Sequence, residues 1–167
     1  MIVGVISDTH GLLRKEVLAN LKNCNLIIHA GDIGNIKLLR DLENIAKVKA
    51  VRGNCDKDID IESLDIKEKE ILNVLGKKIY LIHNIKDKDI DLKNQDFDIV
   101  IYGHSHKLSI TKERNTIYIN PGSVGPKRFK LPTTMVKLYI DSNEKVLNII
   151  DNELIKFEDI YVEIINI

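Results

Sequence analysis

The sequence is poor in the features that usually declare a protein's class. It has two cysteines in 167 residues, Cys24 and Cys55. They are too few for a disulfide scaffold and show no metal-type spacing, so both are read as reduced thiols. Charge of one sign is not in excess: 25 Lys and Arg stand against 25 Asp and Glu, a formal net charge of zero. No overall field therefore draws the chain to nucleic acid or to an anionic membrane, and a basic footprint would have to be local. No apolar run is long enough to span a bilayer, and the N-terminal Met-Ile-Val-Gly-Val-Ile stretch lacks a preceding basic region and soon meets Asp8. Although 30% of the residues are charged, they are spread among apolar positions, with no Pro/Gly/Ser linker, long like-charge block or internal repeat. The expectation is a soluble, cytoplasmic protein of one domain over residues 1–167, large enough to bury a core without staples.

What is present is a succession of short apolar runs that stop at polar residues. Residues 2–6 form a continuous run with the pattern of a strand covered on both faces, and it ends in Ser7-Asp8-Thr9-His10-Gly11. Asn25-Leu-Ile-Ile-His-Ala-Gly-Asp32 repeats the arrangement, and residues 47–51 make a third strand ending in Arg52-Gly53-Asn54-Cys55-Asp56. Residues 12–21 and the stretch holding Ile36, Leu39, Leu42 and Ala46 read as helices between them. Strands alternating with helices imply right-handed crossovers and a largely parallel sheet, whose sites collect at the carboxyl ends of its strands. After Asp56 the pattern changes to hairpins: residues 70–75 with 78–83, 109–113 with 116–120, and 133–140 with 145–150. Residues 86–98 are strongly polar and read as a solvated segment holding a short helix. The strand-like tail at 160–165 has no assigned partner and is a candidate edge for a homo-oligomer.

The run Ile99-Val-Ile-Tyr-Gly-His-Ser-His106 stops at Gly103 and presents two imidazoles. Such a pair suits a metal, and it also suits a solvated turn. Asp8 and Thr9 fit the N-cap of the helix that follows, which leaves His10 unexplained. His29 lies inside its strand and reads as a buried, hydrogen-bonded core histidine. Gly53 permits a sharp turn or a close backbone approach, and Asn54 and Asp56 fit ordinary turn chemistry. His83 closes a hairpin strand. Asn120-Pro-Gly-Ser-Val-Gly-Pro126 reads as a rigid loop with exposed backbone donors. Lys127, Arg128 and Lys130, which follow it, are solvated charges or, beside a metal, groups for substrate phosphate.

Taken in order, the polar ends read DTH at Asp8 to His10, GD at Gly31-Asp32, GNCD at Gly53 to Asp56, His83, and GHSH at Gly103 to His106. This ordered set resembles the calcineurin-like metallophosphoesterases. The short length, GNCD, and the late NPGS followed by Arg128 look most like their small bacterial and archaeal phosphodiesterase group. The resemblance implies an α/β fold, a four-layer α-β-β-α sandwich of two mixed sheets flanked by helices. It implies two divalent metal ions, one held by Asp8, His10, Asp32 and His106 and the other by Asp32, Asn54, His83 and His104, so that His104 and His106 part company across Ser105. Mixed nitrogen and oxygen ligation without thiolate makes manganese the first expectation, with nickel, iron, zinc and cobalt open. The implied reaction is attack of a hydroxide bridging the two metals on a small phosphate ester, with Asp32 shared between the ions and Asn54 and Arg128 stabilising charge.

This chain departs from the pattern in two places. Cys55 stands where many larger relatives have a histidine that assists the leaving group, and a thiol is a poor general acid near neutral pH. Protonation of the leaving group then falls to water, favouring activated leaving groups, or to another residue. His83-Asn84-Ile85 stands where many small relatives have His-Gly-His. Asp56 fits a role orienting a metal-binding histidine and fits a turn equally. Two other readings are a metal-free interaction scaffold, as in the retromer subunit that resembles these enzymes, and a nuclease. The scaffold calls for lost ligands, whereas all seven are present. Against the nuclease stand the zero net charge and the absence of an added DNA-binding domain.

Overall fold

The β-branched run at the start of the chain stays apolar at every position because both of its faces are covered. In the computed structural model, which describes residues 1–56, 66–87, 96–128, 130–141 and 152–167, it becomes β1 (Ile2–Ile6). The other strands are β2 (Leu26–His29), β3 (Lys47–Ala50), β4 (Lys69–Val74), β5 (Lys77–Ile82), β6 (Ile99–Ile101), β7 (Ser109–Glu113), β8 (Thr116–Asn120), β9 (Thr134–Ile140), β10 (Leu154–Phe157) and β11 (Ile160–Asn166). The helices among the described residues are α1 (Lys15–Leu21) and α2 (Ile36–Glu43).

The strands form a six-stranded sheet in the order β10-β11-β9-β1-β2-β3 and a five-stranded sheet in the order β4-β5-β6-β8-β7. Both are mixed: β1, β2 and β3 run parallel and β9 antiparallel to β1, while β5, β6 and β8 run parallel between antiparallel β4 and β7. The expected α/β arrangement of two mixed sheets is therefore the one found. Alternation along the strands builds the layers. Val3, Val5, Leu26 and Ile28 of one sheet meet Ile79, Leu81, Ile99, Ile101, Ile117 and Ile119 of the other in a single core. Each such side chain contributes about 1.5–3 kcal/mol by leaving water. Ile6 and Ile27 face the opposite way and pack with Val17 and Leu21 of α1 and Leu38, Leu39 and Leu42 of α2. Tyr80, Ile82, Phe97 and Val100 form a smaller cluster on the outer face of the second sheet.

The helix expected over 12–21 begins only at Lys15, and its N-cap is Arg14 rather than Asp8 or Thr9. The residues before it are pinned elsewhere: the amides of His10 and Gly11 donate to the carbonyls of Asp32 and Ile33 at 2.9 and 2.8 Å. That stretch is spent on delivering His10 and cannot coil. In α2 the side chain of Asn35 accepts from the Leu38 amide and caps the helix. The 160–165 stretch is not itself a sheet edge, although β10 of the same tail is. β11 lies between β9 and β10, pairing from Ile160 with Ile140 to Asn166 with Thr134, and β10 is the outermost strand. Residues 145–150 and most of the 86–98 segment lie outside the described residues. No helix among the described residues is long and apolar enough to cross a membrane.

Candidate metal centre

The parallel strands of both sheets end at one rim of the sandwich, and the polar residues that follow them meet there. Asp8 and His10 follow β1, Asp32 follows β2, Asn54 follows β3, His83 follows β5, and His104 and His106 follow β6. Five of them hold a left-handed backbone: Asp8, His10, Asp32, His104 and His106 have φ between 44° and 69°. For residues with a Cβ this costs about 1–3 kcal/mol each and persists only where the surroundings impose it. Here the loops impose it on one another, as in the Asp8 amide donating to the Gly31 carbonyl at 3.0 Å.

The donor atoms fall into two groups that share Asp32. In the first, Asp8 Oδ1 lies 3.3 Å from His106 Nε2, His106 Nε2 lies 3.4 Å from His10 Nε2, and His10 Nε2 lies 3.7 Å from Asp32 Oδ2. In the second, Asn54 Oδ1 lies 3.2 Å from His83 Nε2 and 3.1 Å from His104 Nδ1, and His83 Nε2 lies 3.5 Å from the same Asp32 Oδ2. The buried ring of His83 is oriented by its Nδ1–H, which donates to the Ala30 carbonyl at 2.7 Å and turns Nε2 to the centre. Asp8 Oδ1 is buried and has no hydrogen-bond partner among the described residues. An orphaned carboxylate oxygen facing imidazole nitrogens is costly by itself and fits a cation. Donor atoms lie within 4.8 Å of one another in three overlapping groups, Asp8 with His10 and His106, Asp8 with Asp32 and His83, and His10 with Asp32 and Cys55, and carboxylate with imidazole suits divalent metals.

Burial raises the Asp8 carboxyl to about 6. Burial acts the same way on Asp32, but hydrogen bonds from His83 and the Cys55 amide hold its carboxyl well below the usual range. His106 is pushed down to about 4, chiefly by burial and then by Arg128 and His10, so its ring is neutral at pH 7. His83 moves the other way: burial disfavours its charge, but the bonds to Asp32 and to the Ala30 carbonyl, with the charges of Asp32 and Asp8, together outweigh it. Between Asp32 and His106 this gives ionised carboxylate beside neutral imidazole, the protonation pattern a metal requires; His83 would have to give up its proton to a metal.

Several neighbours hold these groups without joining them. Asp56 is fully buried; its Oδ2 accepts from the Gly53 amide at 2.8 Å and its Oδ1 from the amides of Ile33 and Gly34 at 2.8 and 3.0 Å. It makes no hydrogen bond to a histidine among the described residues, so of the two roles open to it the loop-holding one is observed. Gly53 is needed because a Cβ there would overlap Asp32 Oδ1. His29 is a core histidine as expected: its Nδ1 accepts from the Gly31 amide, so Nε2–H donates to Thr9 Oγ1 at 2.8 Å, and that hydroxyl donates to the Ile33 carbonyl.

The loop after β8 differs from its reading as a display of exposed donors. Asn120 to Gly125 are buried. Ser123 Oγ donates to the Asp8 carbonyl at 3.0 Å, Asn120 Nδ2 to the Gly103 carbonyl at 2.7 Å, and the Val124 amide to the Ser7 carbonyl. The loop thus braces the turns that carry Asp8 and His104. Arg14 braces it in turn, donating to the carbonyls of Val124 and Gly125 at 3.2 and 3.0 Å. Nothing local to Arg14 signals this role, since its partners lie 110 and 111 residues away. Arg128 leaves the loop exposed, with Nη2 3.4 Å from His10 Nε2. The exposed Cys55 sits beside Asp32; partial burial and the Asp32 charge raise its thiol pKa.

A model of the calcineurin-like phosphoesterase superfamily domain matches residues 1–143. A probable metallophosphoesterase of Methanocaldococcus jannaschii is 36% identical over 148 residues, 81% of this chain and 74% of that one. A phosphodiesterase of the same organism is 27% identical over 180 residues, 98% of this chain and 100% of that one. Among solved structures, an archaeal phosphodiesterase superposes with a TM-score of 0.74 at 22% identity over 100% of both chains. Vps29 of Entamoeba histolytica, complexed with zinc, does so with a TM-score of 0.69 at 20% identity over 99% of both. The family match takes in every strand end that supplies a donor, and the chain belongs to the calcineurin-like phosphoesterase superfamily of metal-dependent phosphoester hydrolases.

Proposed function

We propose that the protein is a dinuclear-metal phosphodiesterase acting on a small phosphate ester. The observation that carries the reading is the place of Asp32, whose Oδ2 lies 3.7 Å from His10 Nε2 on one side and 3.5 Å from His83 Nε2 on the other. A carboxylate ionised at all working pH and reachable from two histidine groups is what two mutually repelling cations require between them. In this reading Asp8, His10, Asp32 and His106 hold one ion and Asp32, Asn54, His83 and His104 the other. When bound, the ions supply an activated water and neutralise charge on the phosphoryl oxygens.

The remaining work falls to side chains. Arg128 orients the phosphate with its guanidinium, and Asn54 adds its amide. Cys55 is a neutral thiol beside a carboxylate and donates a proton poorly, so esters with activated leaving groups react fastest. The donor set has no committed thiolate, which favours manganese. The likeness to Vps29 concerns the fold alone, and the presence of all seven donors supports the enzyme over the scaffold. The test is hydrolysis of bis-p-nitrophenyl phosphate by chelator-treated protein given back Mn²⁺ or Ni²⁺. Metal-dependent release of nitrophenol is expected, and no turnover with either ion would overturn the reading.

A further inference from the structure

Asn84 departs from the His-Gly-His pattern, and none of the proposed chemistry uses it. It lines a cavity of about 640 Å³ that opens beside Asn54, His83 and His104, at the end of the centre away from Arg128. The lining residues are mostly polar, with Ile82 as the apolar one among those described, although the wall they present is about as apolar as polar. Their charges cancel, Arg52 and Lys69 against Glu68 and Asp87. Arg52 Nη2 is already committed to Glu68 Oε1 at 2.8 Å, and Asn84 Nδ2 donates to Asp87 Oδ1 at 3.1 Å.

The other end differs. Lys127, Arg128 and Lys130 are exposed and form no ion pair among the described residues, so the attraction for phosphate is concentrated there. A second phosphate placed in the cavity would meet the carboxylates of Glu68 and Asp87, Arg52, which already has its partner, and Lys69, which is not free either. A hydroxyl-bearing neutral group would find acceptors in Glu68 and Asp87 and an amide in Asn84.

We propose that this cavity holds the organic group of the phosphodiester and selects an uncharged, hydroxyl-bearing group, such as a nucleoside, over a bare alkyl group or one carrying a second phosphate, with Asn84 and Asp87 as specificity-determining residues. The inference rests on the phosphodiesterase reading above. It is tested with three diesters that release the same nitrophenol: methyl p-nitrophenyl phosphate, thymidine 5′-(p-nitrophenyl phosphate), and the latter bearing a 3′-phosphate.

With manganese-loaded protein, kcat/KM for the thymidine ester should exceed that for the methyl ester by about fivefold per hydrogen bond gained, the size of one net hydrogen bond. The difference should lie in KM, and the added 3′-phosphate should lower kcat/KM. N84G and D87A should each shrink the thymidine-to-methyl ratio. Independently of turnover, the Asn84 side-chain amide resonances of zinc-loaded protein should shift on adding thymidine 5′-monophosphate and stay put on adding methyl phosphate. Equal rates for the thymidine and methyl esters, a gain from the 3′-phosphate, or an unmoved Asn84 amide would overturn this inference and leave the phosphodiesterase reading standing. No turnover of any of the three would overturn both.

Discussion

Asp32 Oδ2 stands between the two histidine groups, so in the proposed dinuclear centre its removal should be felt by both ions at once. D32A is expected to lower metal stoichiometry, measured by elemental analysis after dialysis, from two per chain to one or none. It should lower diester hydrolysis by more than about 100-fold, since even partners lying behind metal ligands cost about 10–100-fold. N54A tests the proposed second ion more gently. Asn54 is exposed, so its thermal midpoint should match wild type while activity falls. Asp56 behaves in the opposite way. Its two oxygens serve three amides in a fully buried place, and D56A strands donors that each cost about 1–3 kcal/mol when left unmade. Chemical denaturation should show a loss of about 3–5 kcal/mol, a stability effect that separates Asp56 from the ligands.

Among the elements, the loops matter more than the strands they leave. The turns after β1, β2 and β6 hold their donors at positive φ because other loops grip them, and the segment from Asn120 to Gly125 is one of those grips. Arg14, at the N-cap of α1, fastens that segment through two carbonyls. R14A should therefore raise amide hydrogen exchange at Val124 and Gly125 while leaving β1 and β6 protected, as expected for a local opening rather than global unfolding. Sequence pattern made the strands and most of the hairpin turns legible, because alternation and glycine-bearing turns are local signals. The late start of α1 was not legible: an apolar period begins at Leu12, and only the bonds from His10 and Gly11 to Asp32 and Ile33 show that the chain is held out of a helix there.

Across the whole molecule, the buried His29 links the fold to pH. Burial lowers its pKa to about 4 from the ordinary 6.5. A base depressed in the folded state contributes stability that is complete above the unfolded pKa and is lost as pH falls through the folded one. The stability advantage of wild type over H29Q should thus be largest at pH 7 and shrink by up to about 3 kcal/mol toward pH 4, at about 1.4 kcal/mol per unit. Denaturant titrations of chelated protein at both pH values would measure it. Asp8, raised to about 6, has the opposite slope, which is why the comparison is made between variants and not on wild type alone.

Residue types and their order along the chain were enough to mark the candidate donors at Asp8, His10, Asp32, Asn54, His83, His104 and His106 and the family they resemble, and through that resemblance the two mixed sheets. They were enough because β-branched runs, glycine turns and metal-ligand side chains carry their chemistry locally. The fold alone decided how those donors are arranged: that His10 faces His106 across 96 residues, that Asp8 keeps an unbonded oxygen, that Asp56 serves amides rather than a histidine, that the loop after β8 is buried, and that Asn84 borders a neutral cavity. Each of these depends on which distant segments are brought within about 3 Å, the reach of a hydrogen bond, and no local pattern encodes that distance.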